Sequence, residues 1–281
     1  MIARSSWLSL AWTLLAGSAW LGLAIAAPAP SAQFAQRSSG AIEVDVELVL
    51  AVDISFSMDP DEQELQREGY IHALTSNEFL RALKEGIHGK VAIVYFEWAN
   101  INERRVIVPW RLIDGPETAD AFVAEIARAP YRRASRTSVS GALEFGAQLL
   151  EDSGYKGIRR VIDVSGDGVN NNGPPVTIVR DEVLSKGIVI NGLPIMLKQP
   201  VSSGMDIEGL DIYYEDCVIG GPGAFVIPIK ERSKFMEATR TKLVQEIALA
   251  PPEPRVVPAA ASAPRMSCLI GEQIWQQRWG N

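Results

Sequence analysis

The sequence has few of the side chains that bind transition metals or act as catalytic bases. It contains two histidines, His72 and His88, and two cysteines, Cys217 and Cys268. No Gly-x-Ser-x-Gly nucleophile elbow occurs, and the glycine cluster at 220–223 lacks the Lys-Ser/Thr of a phosphate-binding loop. These absences argue against a serine hydrolase, a thiolate–imidazole metal site and a nucleotide-binding loop.

No run of basic residues interrupts a chain that is acidic overall. Lys and Arg total 27 against 34 Asp and Glu, so the net charge is −7 at pH 7. Removing the N-terminal segment described next would take away Arg4 and leave −8, from 26 basic and 34 acidic residues. Because nucleic acids bind cationic surfaces, this balance argues against a nucleic-acid partner.

The N-terminal segment 1–27 has the layout of a secretory signal peptide. Arg4 precedes an apolar stretch at 7–25, and the small residues Ala26 and Ala27 follow it. Neither a lipidation cysteine nor a twin-arginine pair accompanies the stretch. We therefore predict cleavage after Ala26 or Ala27 and export to the periplasm or the extracellular space, with no membrane span afterwards. An uncleaved membrane anchor is the alternative, because the apolar run approaches spanning length.

Both cysteines lie in the part of the chain that we expect to be exported, where disulfides form and persist. We predict a Cys217–Cys268 bond. In the chain-entropy model, closing so long a loop stabilises a fold by about 4 kcal/mol. Two buried free thiols are the alternative. The bond would fold the tail after Cys268, which carries Trp275 and Trp279, back onto the main domain.

Composition divides the chain into four parts. Residues 1–27 are the predicted signal peptide, and residues 28–42 are a lead-in rich in Ala, Ser, Pro and Gln. Residues 43–250 form the main domain. Residues 251–281 begin as a Pro/Ala-rich linker and end in an apolar tail.

Strand-like and helix-like patterns alternate along the main domain. The largely apolar stretch 44–52 predicts a strand buried on both faces, as in a parallel sheet, and further strands are predicted at 91–96, 158–164, 188–194 and 224–229. A short polar link to 106–110, which contains Pro109, predicts an antiparallel edge strand. Helices are predicted at 60–73, 75–86, 116–128, 137–150, 176–186 and 231–249. The fold class is therefore α/β: a doubly wound, mostly parallel sheet with one antiparallel edge strand and helices on both faces.

Five oxygen-bearing side chains occur where three segments of this domain are expected to meet. They follow the first strand, open the clearest helix and follow a central strand: Asp53, Ser55, Ser57, Thr137 and Asp167. Ligands of open α/β sheets bind at the carboxyl ends of strands, where the strand order reverses. Two carboxylates and three hydroxyls suit a hard cation, with Mg2+ the first choice and Mn2+ or Ca2+ the alternatives.

A second acidic pattern overlaps the third segment. Asp163, Ser165 and Asp167 superficially match the start of an EF-hand loop, but the position that requires Glu is Pro174. Asp163 also interrupts an apolar strand. Because a buried charge needs a partner, we expect a structural hydrogen-bonding role for Asp163 rather than a role beside the metal.

The three segments, in this order, resemble the metal-ion-dependent adhesion site of the von Willebrand factor type A (vWA) domain. That family carries Asp-x-Ser-x-Ser on a first loop, Thr on a second and Asp on a third. Thr137 matches the second loop because Ala142-Leu143 follows at the family's usual distance, while Gly166 stands where the family often has Thr. The resemblance covers about residues 44–249. The stretch 213–225 differs from the adhesive members and resembles an uncharacterised, exported bacterial branch, a domain of unknown function.

The resemblance implies how the site would work. Ser55 and Ser57 would bind the metal directly, Thr137 or Asp167 would join them depending on state, and Asp53 would often act through water. An open metal position would accept an Asp or Glu from a partner protein. We therefore expect an exported, non-enzymatic, metal-dependent protein-binding module of the adhesion type. The alternatives are a cell-envelope structural protein whose metal only stabilises the loops, and a metal-dependent hydrolase, for which no general base stands out.

Overall fold

The computed structural model describes residues 40–198, 205–248 and 264–279. The predicted signal peptide, nearly all of the lead-in and the linker at 251–263 lie outside the described residues. Among the described residues, no helix combines the length and apolar character needed to cross a membrane.

One five-stranded sheet organises the domain. Its strands are β1 (Ile42–Asp53), β2 (Val91–Trp98), β3 (Arg104–Ile113), β4 (Tyr155–Gly166) and β5 (Val189–Pro194). The spatial order is β3-β2-β1-β4-β5. β1 pairs in parallel with β2 and β4, and β4 pairs in parallel with β5, whereas β2 and β3 form an antiparallel hairpin at the edge. The predicted mostly parallel sheet with one antiparallel edge strand is confirmed.

Helices cover both faces of this sheet. They are α1 (Pro60–Leu74), α2 (Asn77–Lys84), α3 (Pro116–Arg128), α4 (Val139–Glu151), α5 (Val176–Ser185), α6 (Leu210–Tyr213), α7 (Phe235–Ile247) and α8 (Ile270–Trp279). Residues of α1, α2, α3 and α7 share one hydrophobic core, and residues of α4, α5 and α6 share the other. Successive β1 residues alternate between these cores: Leu48 and Leu50 face the first, and Val49 and Ala51 face the second. Burial on both faces explains why residues 48–52 of β1 are all apolar, whereas Asp45 and Glu47 before them are buried charges.

Two predicted elements differ in the structure. The stretch 224–229 is not a regular strand, although Gly192 pairs with Val226 and Ile195 with Ile229 as isolated bridges beside β5. Pro194 has no amide hydrogen to continue that ladder, so the pairing is interrupted. α7 also begins later than predicted, at Phe235, after a short 3-10 turn at Arg232–Lys234.

The predicted disulfide is present in the structure. Cys217 and Cys268 are bonded, with their Cα atoms 5.4 Å apart and 51 positions apart in sequence. Cys217 follows α6 in a π-helical turn, Tyr214–Val218, and is fully buried. The bond ties the segment that leads into α8 to the face of the sheet covered by α4 and α5.

Asp163 lies in a buried ionic cluster beneath the opposite face. Lys242 of α7 lies 2.8 Å from the Asp163 carboxylate and 2.5 Å from that of Glu246. Asn191 of β5 donates a hydrogen bond of 2.6 Å to Glu246. Burial raises the pKa of the Asp163 carboxyl, and the neighbouring ammonium opposes that rise. This arrangement connects β4, β5 and α7, as a structural role for Asp163 requires.

Candidate metal centre

The candidate ligands converge on the point where the strand order reverses. From β1 the chain crosses to β2 on one side, and β4 lies on the other side of β1. Asp53 is the last residue of β1, and Asp167 follows directly after β4. Thr137 lies two residues before α4, and the side chain of Ser138 caps that helix by accepting from Gly141 N. The sequence prediction that Thr137 opens the helix was therefore wrong by one to two residues, but Thr137 lies at the same end of the sheet as Asp53 and Asp167.

The loop after β1 is held in shape by its own side chains and by a neighbouring segment. Ser55 N donates to Asp53 Oδ1 at 2.7 Å, and the hydroxyl oxygens of Ser55 and Ser57 lie 2.7 Å apart. Phe56 N donates to Ala134 O, and Ala134 N donates to Ile54 O. The capping box of Asp59 and Glu62 then starts α1, as the Asp-Pro pair predicted.

The other two segments lie against this loop. Ser57 Oγ donates to Asp167 Oδ1 at 2.6 Å. A Cβ placed on Gly168 would be 3.4 Å from Thr137 Oγ1 and 3.8 Å from Ser57 Oγ, so both hydroxyls border one small space. Asp53, Ser55, Ser57 and Asp167 thus form a continuous chain of contacts, and Thr137 stands beside it.

Asp53 is the most constrained of these side chains. It is fully buried, and within the described part of the chain its Oδ2 has no hydrogen-bond partner. Burial, followed by repulsion from Asp167, raises the pKa of the Asp53 carboxyl well above its ordinary range. A Cβ on Gly166 would lie 2.7 Å from Oδ2, so the absence of a side chain at Gly166 permits this placement of Asp53.

Asp167 is buried as well, but it has a cationic neighbour. Burial raises the pKa of the Asp167 carboxyl to about 6, while the Ser57 hydrogen bond and the Lys198 charge oppose the rise. The Lys198 ammonium lies 3.3 Å from Asp167 Oδ2 and also contacts the Glu62 carboxylate and the Ser57 carbonyl oxygen. Sequence reasoning did not identify Lys198. Its position shortly after β5, at the same end of the sheet, was the available signal.

Three consecutive asparagines, also missed from the sequence, fix the loop after Asp167. Asn171 accepts from Thr137 N at 3.0 Å and donates through its own backbone N–H to Thr137 O at 2.8 Å. Asn170 accepts from Ser140 N at 3.0 Å, and Asn172 accepts from the backbone N–H of residue 101 at 2.9 Å. The run of three asparagines that begins one residue after Asp167-Gly168 was the signal, since Asn side chains readily hydrogen-bond backbone groups in turns and loops.

The residues present fit a hard divalent cation. They supply carboxylate and hydroxyl oxygens, which Mg2+, Mn2+ and Ca2+ prefer. Asp53 Oδ2, buried without a partner, is an acceptor that a cation, directly or through water, would satisfy. The approach of the Lys198 ammonium to Asp167 shows that positive charge is favoured at this position.

A cleft of about 500 Å3 opens above these residues. Side chains from the loop after β1, the segment before α4 and helix α8 line it, among them Ser57, Thr137, Phe56, Arg133, Arg136 and Trp275. Of the candidate ligands, Ser55, Ser57 and Thr137 line the cleft together with these cationic and aromatic groups, whereas Asp53 and Asp167 lie behind them. A ligand in this cleft would reach the candidate metal position from solvent.

Solved structures with the same fold come from distant proteins. The pilus adhesin SpaC from Lactobacillus rhamnosus GG is 12% identical with a TM-score of 0.55, over 74% of this chain and 32% of the adhesin. Proximal thread matrix protein 1 of the mussel byssus, solved with a zinc-occupied MIDAS motif, is 13% identical with a TM-score of 0.51, over 73% and 48% of the two chains. A von Willebrand factor type A protein from Catenulispora acidiphila is 15% identical with a TM-score of 0.50, over 73% and 43%.

These likenesses establish the fold, and the chain spans about half or less of each of those proteins. A comparison with curated proteins gave no match. The profile of the family described as "Protein of unknown function (DUF1194)" matches residues 43–251, which is most of the chain. The chain therefore belongs to the DUF1194 family, and its domain has the von Willebrand factor type A fold.

Proposed function

We propose that this chain is an exported protein-binding module whose bound divalent cation takes an Asp or Glu side chain from a partner protein. Five residues would hold the cation: Asp53, Ser55, Ser57, Thr137 and Asp167. Mg2+ is our first choice, with Mn2+ or Ca2+ as alternatives. The bound cation would supply the electrostatic attraction that lets the exported chain, with a net charge of −8 after the predicted cleavage, bind a carboxylate it would otherwise repel.

The observation that carries the proposal is a pair of buried carboxylates linked to hydroxyls that line an open cleft. Asp53 is completely buried with a partnerless oxygen, and Asp167 contacts Ser57 within the same chain of contacts. Burying acids is costly unless cations compensate them, and Lys198 contacts Asp167 but leaves the Asp53 oxygen without a partner. A cation that enters the cleft would meet the Ser55, Ser57 and Thr137 hydroxyls and would compensate the carboxylates behind them.

The lining of the cleft supports binding more than catalysis. Among the described residues, the side chains that line it include neither His72 nor His88. The cleft therefore lacks the imidazole that most often serves as a general base. The predicted signal peptide and the Cys217–Cys268 bond support the export part of the proposal, because disulfides persist in oxidising compartments.

The direct test uses a minimal acidic probe on the chain as recovered after export. A fluorescent Gly/Ser peptide carrying one Asp is titrated by anisotropy with Mg2+, and again with EDTA. The same peptide with Asn in place of Asp is the ligand control. Binding should require both the cation and the Asp, and it should be lost in Asp167→Asn.

Asp120→Asn is the matched protein control, because Asp120 is an exposed carboxylate on α3. It should bind the peptide like the wild type. Binding of the Asp peptide that survives EDTA or survives Asp167→Asn would contradict the proposal. A metal that strongly raises the melting temperature without any carboxylate binding would favour the structural-envelope alternative.

A further inference from the structure

The C-terminal helix α8 forms one wall of the cleft above the candidate metal centre. The family profile ends at residue 251, so α8 lies outside the matched region. Trp275 of α8 lines the cleft together with Ser55, Ser57 and Thr137. The ligands that we assign to the metal therefore face a surface contributed by the tail.

The tail is seated on the same loop that carries Asp167. A Cβ on Gly271 would lie 2.0 Å from Asn170 O, so glycine alone permits this approach. Asn170 Nδ2 donates to Glu272 Oε1 at 2.7 Å. With the Cys217–Cys268 bond upstream, these contacts fix α8 against the Asp167 loop at more than one point.

Two arginines and two aromatic rings form the rim, which we define as Phe56, Arg133, Arg136 and Trp275. The Arg136 guanidinium stacks 3.7 Å from the centre of the Trp275 ring. Arg133 donates to Phe56 O at 2.7 Å, and the Phe56 side chain is 59% exposed. Arg136 has φ = 69°, the left-handed region that a non-glycine residue adopts only when its surroundings hold it there.

The charge at this rim is opposite in sign to that of the whole chain. Three cations line the cleft: Arg133, Arg136 and Lys198. Asp59 and Asp206 also line it, but Asp59 is engaged in capping α1. Because an arginine carries five N–H donors in a planar fork, a guanidinium that is already held in place can still receive a carboxylate.

We propose that the rim binds a second acidic residue of the partner, so that the natural ligand is a short acidic segment with two spaced carboxylates. The first carboxylate would meet the cation, and the second would meet Arg133 and Arg136, with the Trp275 ring of α8 as the supporting wall. This inference rests on the proposed function and deepens it, because it assigns the tail a part in recognition.

The test compares Gly/Ser peptides that carry one Asp with peptides that carry two, the second placed at each of several spacings. Anisotropy titrations are run with Mg2+ on the oxidised, full-length exported chain. At the best spacing, the two-Asp peptide should bind roughly tenfold more tightly than the one-Asp peptide, as expected for a charge-assisted contact that is partly exposed.

Matched variants separate the rim from general charge and from helix α8 as such. Arg133→Gln should abolish the two-Asp advantage, and its one-Asp affinity, measured alongside, reports any disturbance of the loop at 55–57 to which Arg133 donates. Arg132→Gln, which removes the same charge from an adjacent residue that does not line the cleft, should keep the advantage. Trp275→Ala should reduce it, whereas Gln277→Ala, at an exposed position of the same helix that does not line the cleft, should not. Unchanged thermal melting confirms that each variant is folded.

Each outcome decides the inference. If one-Asp binding requires Mg2+ but the two-Asp peptides bind no more tightly at any spacing, the rim does not bind the second carboxylate. The inference then fails while the proposed function stands. The same holds if Arg132→Gln and Arg133→Gln lower the advantage equally. If no peptide binds in Mg2+, both the proposed function and this inference fall.

Discussion

Two glycines flank Asp167, and the structure predicts opposite results when each is replaced by alanine. A Cβ on Gly166 would lie 2.7 Å from Asp53 Oδ2 and 3.0 Å from Asp53 Cβ, which is closer than atoms normally pack. A Cβ on Gly168 would meet nothing closer than Thr137 Oγ1 at 3.4 Å, an ordinary contact. Gly166→Ala should therefore push the buried Asp53 side chain, and Gly168→Ala should not.

The size of the effect follows from the packing. Asp53 is fully buried at the end of a central strand, so it cannot swing into solvent to relieve the contact. Overpacking of this kind destabilises folds by about 1–3 kcal/mol. For a domain of this size, that loss lowers the melting temperature by about 2–4 °C per kcal/mol. Gly168→Ala should change stability by less than about 0.5 kcal/mol, within the range of a tolerated substitution.

The assay is thermal unfolding of the metal-free protein, followed by calorimetric titration of Mg2+. Because Asp53 Oδ1 accepts from Ser55 N, displacing Asp53 should also disturb the loop that carries Ser55 and Ser57. Gly166→Ala should then weaken Mg2+ binding at least about tenfold, a loss of about 1.4 kcal/mol. Equal melting temperatures for the two alanine variants would refute the packing argument.

Three further perturbations have predicted outcomes. Lys242→Met should lower the free energy of unfolding by about 3–5 kcal/mol in urea titrations, because it leaves the buried Asp163 carboxylate without its cation; a loss below about 1 kcal/mol would show that the cluster tolerates an unpaired charge. Lys198→Ala should tighten Mg2+ binding in calorimetry, because the Lys198 ammonium competes for Asp167 Oδ2; weaker binding would instead identify Lys198 as a supporting group. Reducing the Cys217–Cys268 bond should lower the melting temperature, with about 4 kcal/mol as the upper limit from loop closure; an unchanged melt would mean that the contacts of α8 hold the tail without the bond.

The sheet was predictable because each strand carries a strong local signal. β1 is apolar on both faces because the two cores use alternate residues, and Pro109 marked the edge hairpin. Asp59 and Pro60 marked the start of α1 through capping, which is a local interaction. The stretch 224–229 was wrongly predicted to be a regular strand. The missing amide hydrogen of Pro194 interrupts its pairing with β5, and this effect can be foreseen only when the two segments are known to be neighbours.

The candidate site was predictable in part for the same reason. Asp53, Ser55 and Ser57 lie within five residues at the end of β1, and Thr137 and Asp167 were predicted from the helix and strand that bring them to the same end of the sheet. The parts that were missed depend on contacts distant in sequence. Lys198 reaches Asp167 from the loop after β5, and Trp275 reaches Arg136 from the tail. The sequence around Lys198 or Trp275 does not indicate which distant residue each of them contacts.

The metal assignment is tested by calorimetric titration of Mg2+, Mn2+ and Ca2+ into the metal-free exported chain and into its Asp167→Ala variant. We expect a divalent cation to bind at one site in the wild type and this binding to be lost in Asp167→Ala, with both proteins folded in melting curves. Binding of equal strength in the two proteins would place the metal elsewhere and contradict the assignment of Asp53, Ser55, Ser57, Thr137 and Asp167.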